Sequence, residues 1–128
     1  MRIEHVALWT PDIERLRAFY ERWFGAVANA RYESARVLGF ASCFLAFPDG
    51  GARLELMQLP ELAPAAPVPA LGYAHLAIAV GSRERVDALV EAARSAGVRI
   101  RSEARVTGDG YYEAVIDDPD GNQVEVTA

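Results

Sequence analysis

The stretch Asp118-Pro119-Asp120-Gly121-Asn122-Gln123-Val124-Glu125 combines a turn with the start of a strand, and a similar stretch occurs earlier in the chain. There, Pro48-Asp49-Gly50 precedes the segment Arg53–Gln58, which also carries a glutamate, Glu55, between leucines. The Pro-Asp-Gly combination is typical of turns, because proline presets φ, aspartate bonds its own backbone and glycine tolerates positive φ. A turn and strand repeated about 70 residues apart predict an internally duplicated fold.

A histidine and a glutamate recur at one spacing in both copies. Glu55 follows His5 by 50 residues, and Glu125 follows His75 by 50 residues. Two imidazoles and two carboxylates form a ligand set that suits a divalent first-row transition metal. The repeat therefore predicts that each copy contributes half of a metal site.

Hydrophobic periodicity gives both copies the same order of elements, β-α-β-β-β. In module one (1–58), a strand over Ile3–Trp9 precedes a helix that begins after its N-cap Asp12 and ends at Gly25. The alternating apolar segments that follow predict three further strands, at Ala30–Ala35, Ser42–Phe47 and Arg53–Gln58.

Module two (73–128) repeats this order, with a strand over Tyr73–Val80 and a helix that starts after Ser82 and ends at Gly97. Its other strands are predicted near Val98–Arg105, Tyr111–Ile116 and Gln123–Thr127. Between the modules, residues 59–72 contain four prolines and are expected to form a semi-rigid extended linker.

Strand alternation places the four donors on the faces that are not aliphatic. His5 shares its face with Trp9, and Glu55 shares its face with Arg53 and Met57. The opposite faces are aliphatic and suit packing against helices. We therefore expect one α+β domain over residues 1–128, in which two tandem βαβββ modules form curved mixed sheets around a metal-binding cavity, with the helices outside.

Composition narrows the class of partner. The chain has 128 residues, is 52% hydrophobic and carries a net charge of −5, which suits a globular domain and argues against nucleic acid or an anionic membrane as the main partner. A small molecule is the expected ligand. The single cysteine, Cys43, excludes an intrachain disulfide and fits a reducing cytoplasm. The sequence has neither the apolar core of a signal peptide nor a run of transmembrane length.

The repeated element order, with a histidine on the first strand and a glutamate on the last strand of each module, resembles the vicinal oxygen chelate superfamily. Its members include glyoxalase I, methylmalonyl-CoA epimerase, extradiol dioxygenases, fosfomycin-resistance proteins and bleomycin-binding proteins. The resemblance extends from Ile3 to Thr127, and the stretch from Asp118 to Glu125 is a characteristic ending. It implies the two-module fold, but this fold hosts several chemistries.

The ligand set resembles that of glyoxalase I. Epimerases usually carry glutamine where Glu55 stands, dioxygenases and fosfomycin-resistance enzymes typically use two histidines and one glutamate, and antibiotic-binding members generally lack the metal set. The resemblance implies a divalent nickel, cobalt, zinc or manganese ion held by His5, Glu55, His75 and Glu125. It also implies that Glu125 is the base that moves a proton between adjacent carbons, that Glu55 is the opposed carboxylate, and that the enzyme is a lyase or isomerase.

Two positions depart from glyoxalase I. Trp9 stands where that enzyme commonly has an arginine for a glutathione carboxylate, and Leu59 stands where it commonly has an asparagine. These apolar replacements favour a different thiol or a smaller, less charged substrate. Another metalloenzyme of the superfamily (a thiol transferase of antibiotic resistance or an extradiol dioxygenase) and a non-catalytic small-molecule-binding protein remain alternatives.

Other residues near the donors are candidates for substrate contacts, and they are Trp9, Arg53, Met57, Tyr111 and Tyr112. For Arg53 a surface ion pair is an equal alternative. For the two tyrosines, which follow Gly108-Asp109-Gly110, an ordinary hairpin with ring packing on the sheet is the favoured alternative. The resemblance also implies a homodimer whose cavities combine modules from two chains.

Overall fold

The computed structural model describes residues 1–64 and 69–128. The described parts of the predicted linker, 59–64 and 69–72, carry neither helix nor strand, and its middle, including Pro67, lies outside the described residues. The chain forms two compact units, Met1–Ala65 and Ala66–Ala128. Each unit is built from one helix and one mixed sheet, which confirms the predicted α+β fold.

The first unit has six elements in chain order. They are β1 (His5–Trp9), α1 (Ile13–Phe24), β2 (Val27–Ala28), β3 (Tyr32–Glu33), β4 (Ala41–Ala46) and β5 (Arg53–Gln58). The sheet runs in the order β1-β5-β4-β2, with β3 also paired to β4. Strand β1 is parallel to β5, whereas β4 is antiparallel to β5. The first and last strands of the module are therefore neighbours, although about 50 residues separate them.

The second unit repeats this topology with five elements. They are β6 (Leu76–Ala79), α2 (Arg83–Ser95), β7 (Ile100–Val106), β8 (Tyr112–Asp117) and β9 (Gln123–Thr127). The sheet order is β6-β9-β8-β7, and β6 is parallel to β9. Neither sheet closes on itself within the described residues. The predicted duplication is thus present in the backbone topology.

Both helices begin where the sequence predicts. The side chain of Asp12 accepts a hydrogen bond from the backbone N–H of Arg15 at 3.0 Å, and the side chain of Ser82 caps α2 in the same way. Gly25 ends α1 with φ of 63°, a left-handed conformation that glycine adopts without a steric penalty.

Each helix packs an apolar stripe on the aliphatic face of its own sheet. In α1 the buried residues recur at helical spacing, and they are Ile13, Leu16, Phe19 and Tyr20. They share the first unit with Leu54 and Leu56 of β5, which are 1% and 0% exposed. In the second unit, Val86 and Val90 of α2 are buried in the same unit as Val124 and Val126 of β9. Full burial of each such side chain stabilises the fold by about 1.5–3 kcal/mol.

None of the described helices is both long and apolar enough to cross a membrane.

Within the predicted strand at Ala30–Ala35 the structure has only the two-residue strand β3, and a second short strand, β2, precedes it at Val27–Ala28. Asn29 immediately follows β2, and its side-chain oxygen accepts a hydrogen bond from the backbone N–H of Phe44 at 2.8 Å. Its own N–H donates to the Phe44 carbonyl at 3.0 Å. The asparagine side chain takes over a backbone partner in the ladder, so regular pairing stops there. A second difference is that β6 begins at Leu76, so that His75 immediately precedes the strand.

Candidate metal centre

In the first unit, strand register places His5 and Glu55 on one face of the sheet. Ala7 of β1 is the direct partner of Glu55, and His5 is the partner of Arg53 two residues earlier. The pairing of β4 with β5 adds Phe44, which lies opposite Glu55. Because residues two apart in a strand share a face, this surface contains both predicted ligands of the module and is opposite to the face that packs on α1.

The two side chains of this pair approach each other closely. His5 Nε2 lies 3.6 Å from Glu55 Oε2. The imidazole side chain is 40% exposed and the carboxylate side chain 16% exposed, so the pair borders solvent without being fully desolvated. Both groups therefore remain reachable by an ion or a substrate.

The second unit reproduces this pair. His75 Nε2 lies 3.3 Å from Glu125 Oε2, with side-chain exposures of 42% and 16%. Partial burial raises the pKa of Glu125, and the nearby negative charge of Glu113 raises it further, while the charge of His75 opposes the shift. Glu113 and Glu125 lie on the same face because β8 and β9 pair Val115 with Glu125 and Glu113 with Thr127.

The geometry of each pair fits shared coordination of one ion. Nitrogen and oxygen ligands lie about 2.0–2.2 Å from a first-row ion such as zinc, so two ligands at about 90–110° are about 2.8–3.6 Å apart. The observed separations of 3.6 and 3.3 Å lie within this range. Within either unit the pair supplies two donors, and among the described residues no group of three or more histidine, cysteine, aspartate or glutamate side chains is assembled. Each module on its own thus brings together two of the four predicted ligands.

Glu4, which no sequence pattern singles out, contacts His5 from the other side of the ring. Glu4 Oε2 lies 2.5 Å from His5 Nδ1, and Glu4 Oε1 accepts a hydrogen bond from Nη2 of Arg53. The hydrogen bond with His5, and then the one with Arg53, lowers the pKa of Glu4. The Arg53 guanidinium lies over the Phe44 ring at 4.2 Å, and the His5 ring meets the same phenyl ring edge-on at 5.3 Å. The predicted substrate residue Arg53 is therefore engaged in an ion pair with Glu4 beside the predicted ligand His5.

The remaining part of this face is aromatic and apolar. Trp9, 48% exposed, and Met57 are direct register partners at one end of β1 and β5. The Trp9 ring contacts the ring of Phe40 at 6.3 Å, and Phe40 contacts Tyr32 at 6.5 Å. Phe40 was missed because it lies in a loop, and Tyr32 because strand periodicity places it in a strand without showing that its ring meets Phe40. The only sequence signal was their aromatic character.

The two predicted tyrosines have different surroundings. Tyr112 is on the face of β8 that packs against α2, because Glu113 occupies the opposite face. Its hydroxyl donates to Asp87 of α2 at 2.6 Å, and Arg83 lies over its ring at 5.1 Å. The carboxylate of Asp87 raises the pKa of the phenol. Tyr112 also lines an open groove of about 330 Å³ between α2 and β7. Tyr111, in contrast, precedes β8 and is 60% exposed.

A turn fixes the start of β9 and hence the position of Glu125. Asp118, which is 4% exposed, accepts hydrogen bonds from the backbone N–H groups of Asp120 and Asn122, each at 2.9 Å. Its second oxygen accepts a bond from the side-chain amide of Asn122 at 2.8 Å. Gly121 adopts φ of 84° within this turn. The first five residues of the characteristic stretch, Asp118 to Asn122, therefore form a hydrogen-bonded turn that leads directly into β9.

Several solved structures are similar to this chain over nearly all of its length. Glyoxalase I from Zea mays, solved as a V278E mutant, is 25% identical with a TM-score of 0.77, and the match covers 98% of this chain but 44% of the maize chain. The chain thus spans less than half of the maize enzyme. The trypanothione-dependent glyoxalase I of Leishmania major is 25% identical with a TM-score of 0.79, covering 99% of this chain and 86% of that one. A glyoxylase/bleomycin resistance protein/dioxygenase domain from Frankia sp. EAN1pec has a TM-score of 0.83 at 17% identity, covering 99% and 90%, respectively.

No curated protein matches the chain. At the level of sequence families, residues 2–126 match the glyoxalase/bleomycin resistance protein/dioxygenase superfamily. This match covers both units and all four predicted ligands, and it agrees with the duplicated topology. The chain therefore belongs to the glyoxalase/bleomycin resistance protein/dioxygenase superfamily.

Proposed function

We propose that the protein is a divalent-metal-dependent lyase or isomerase of the glyoxalase I type, acting on a small carbonyl compound or its thiol adduct. The observation that carries this proposal is the pair of matching half-sites. His5 with Glu55 and His75 with Glu125 have similar separations and exposures on equivalent faces of the two modules. Two copies of this geometry together provide the two imidazoles and two carboxylates that a nickel, cobalt, zinc or manganese ion accepts.

The proposed chemistry assigns different tasks to the metal and to the carboxylates. A bound divalent ion supplies positive charge next to a substrate oxygen that becomes anionic during the reaction. Glu125 is the proposed base. Without the ion, partial burial and then the charge of Glu113 raise the pKa of this carboxylate. In the loaded site it would accept the proton from one carbon of the substrate and return it to the adjacent carbon. Glu55 is the opposed carboxylate in this proposal.

The surface beside the first half-site favours a substrate with an apolar part. Trp9, Met57 and Phe40 provide rings and a thioether near Glu55, and Arg53 is already paired with Glu4. An extended anionic thiol such as glutathione would need cationic or amide partners, which Trp9 and Leu59 do not offer. We therefore propose a thiol other than glutathione, or a substrate that needs no thiol.

We further propose that the four ligands meet in a homodimer, with His5 and Glu55 of one chain completing the shell of His75 and Glu125 of the other. Among the described residues, β1 pairs only with β5, and β6 pairs only with β9. Each ligand-bearing unit thus has an open sheet edge, which is a common template for pairing with another chain. A cytoplasmic location is part of the proposal, because the buried thiol of Cys43 has no disulfide partner.

The decisive experiment combines metal analysis with an activity assay. The purified protein is loaded with nickel, cobalt, zinc or manganese, and turnover of methylglyoxal is followed with several thiols. Metal uptake with thiol-dependent isomerisation and solvent-deuterium incorporation supports the proposal. Oxygen consumption with ferrous iron would instead indicate a dioxygenase. Failure to take up any of these metals would favour a binding protein and contradict the proposed function.

Subunit mixing tests where the ligands come from. His5→Ala and His75→Ala variants are each expected to lose tight metal binding. If the sites combine two chains, a mixed dimer of the two variants has one intact site and one site without either histidine. Refolding the two variants together should therefore restore about half of the wild-type metal content in the mixed dimers. No recovery would place all four ligands within one chain.

A further inference from the structure

We propose that Glu4 is a positioning residue that fixes the His5 imidazole in the tautomer with hydrogen on Nδ1, leaving the Nε2 lone pair free on the side of Glu55. We also propose that only the first module has this device. The inference rests on the proposed metal site and adds to it a residue outside the four ligands.

The contact geometry determines which ring nitrogen carries the hydrogen. Glu4 Oε2 is 2.5 Å from Nδ1 of His5, well within hydrogen-bonding distance, whereas Glu55 Oε2 is 3.6 Å from Nε2. An ionised carboxylate only accepts hydrogen bonds, so a neutral imidazole satisfies Glu4 by placing its hydrogen on Nδ1. The lone pair then lies on Nε2, which is the atom that a metal needs.

Arg53 holds Glu4 in this position. Its guanidinium donates to Glu4 Oε1 and lies over the ring of Phe44, which also contacts His5 edge-on. The backbone N–H of Arg53 donates to the Glu4 carbonyl at 3.0 Å, so the two residues are joined through both main chain and side chain. Arg53 thereby occupies Oε1 of Glu4, and Oε2 remains directed at His5. Outer partners of this kind orient metal-binding histidines and raise their basicity.

The second module has no equivalent side chains. The residue that precedes His75 is Ala74, and the residue two before Glu125 is Gln123, where the first module has Glu4 and Arg53. The methyl side chain of Ala74 cannot accept a hydrogen bond. The two half-sites, similar in ligand spacing, therefore differ in how their imidazoles are oriented.

The protein is well suited to a direct test because it contains two histidines. Long-range ¹H–¹⁵N correlation spectra of the metal-free protein, recorded at a pH where both rings are neutral, report the tautomer of each ring. We expect the wild-type His5 to be mainly the Nδ1–H form and His75 to be mainly the Nε2–H form. Glu4→Ala should shift His5 towards the Nε2–H form without moving the His75 signals.

Two further variants separate hydrogen bonding from charge. Glu4→Gln keeps an oxygen acceptor and loses the negative charge, so it should largely preserve the Nδ1–H form. Glu61→Ala removes a carboxylate from an exposed position and should leave both rings unchanged. A wild-type His5 in the Nε2–H form, or a His5 tautomer insensitive to Glu4→Ala, would overturn the proposal.

Metal titration provides the second measurement. Zinc affinity should fall by about 10- to 100-fold in Glu4→Ala, which is the usual effect of removing an outer partner of a metal ligand, and Glu4→Gln should restore most of it. Unchanged zinc affinity in Glu4→Ala would contradict the positioning role while leaving the proposed enzyme intact. Conversely, a wild-type protein that binds no metal, but whose His5 tautomer depends on Glu4, would contradict the proposed function and retain the positioning role.

Discussion

His75 Nε2 lies 3.3 Å from Glu125 Oε2, although 50 residues of chain separate the two side chains. Parallel pairing of β6 with β9 produces this proximity, because Ala77 and Glu125 are register partners and His75 precedes Ala77 by two residues. The same pairing of β1 with β5 brings His5 to Glu55. In each module the proposed ligands thus come together through the pairing of its first and last strands, not through a local motif.

Replacing Glu125 by glutamine should separate metal binding from proton transfer. Glutamine has the same size as glutamate and keeps an oxygen that can bind the metal, but its neutral amide cannot act as the base. We expect turnover and solvent-deuterium exchange to fall by about 10²- to 10⁴-fold, the usual contribution of a general base, while the metal remains bound more weakly. Measuring turnover, solvent-deuterium exchange and metal content on the same sample tests this expectation. Equal rates in Glu125→Gln and wild type would contradict the proposed role of Glu125.

Glu55→Gln is the matched comparison, because Glu55 has the same side-chain exposure beside the other histidine. It should reduce metal affinity to a similar extent but retain more proton exchange than Glu125→Gln. If the two variants lose exchange equally at full metal occupancy, the assignment of the base to one carboxylate is wrong.

Substitution of Trp9 tests the inferred substrate class. Trp9→Arg combined with Leu59→Asn introduces a cation and an amide at positions that are apolar in this chain. We expect kcat/KM for a glutathione adduct to increase relative to kcat/KM for an adduct of a small uncharged thiol. Each 1.4 kcal/mol of added transition-state binding would raise this ratio by about tenfold. Metal content is the control and should not change. A ratio that stays constant would indicate that this end of the sheet does not contact the thiol.

The sequence predicts the parts of this fold that depend on repeated local signals. Helix caps at Asp12 and Ser82, the Pro-Asp-Gly turns and the alternation of β5 and β9 all act over a few residues, and the structure has these elements close to the predicted positions. The positions of His5 and Glu55 on one face also follow from alternation. Their mutual distance does not, because it depends on the strand order.

Features that depend on individual side-chain partners are the ones that the sequence does not reveal. Asn29 follows the unpredicted strand β2, and its side chain accepts a hydrogen bond from the backbone N–H of Phe44, fifteen residues later. The sequence shows Glu4 only as a charged residue near the start of the chain. Its role depends on the contact with Arg53 of the neighbouring strand, which only the structure shows. Alternation assigns Tyr112 to a face, but the hydrogen bond to Asp87 on α2 depends on how the helix packs.

Removal of the Tyr112 hydroxyl should affect stability through α2. Tyr112→Phe loses the hydrogen bond to Asp87, so the melting temperature should decrease. Tyr111→Phe is the neighbouring control and should melt at the wild-type temperature, since Tyr111 is 60% exposed and precedes the strand. Calorimetry of both variants checks the difference. Equal melting temperatures for the two variants would contradict a structural contact at Tyr112.

The Asp118 carboxylate should give the stability of the fold a distinctive pH dependence. Burial raises the pKa of Asp118 above its usual value, although hydrogen bonds from Asn122 and Asp120 oppose this shift. In the window between the unfolded pKa, about 3.9, and the higher folded pKa, the folded state binds more protons than the unfolded state. The contribution of Asp118 to the free energy of unfolding is therefore largest below this window and decreases as the pH rises through it.

Asp118→Asn and Asp118→Ala separate this charge effect from the hydrogen bonds of the turn. Asparagine keeps an oxygen for the N–H groups of Asp120 and Asn122 and does not titrate. The free energy of unfolding of Asp118→Asn should therefore increase relative to that of the wild type as the pH rises from about 3 to about 7, a range that begins below the unfolded pKa. Alanine leaves these donors without their acceptor and should lower the free energy of unfolding by about 1–3 kcal/mol at neutral pH. Urea denaturation across this pH range measures both effects. A constant difference between Asp118→Asn and wild type would show that the carboxylate has the same pKa in the folded and unfolded states.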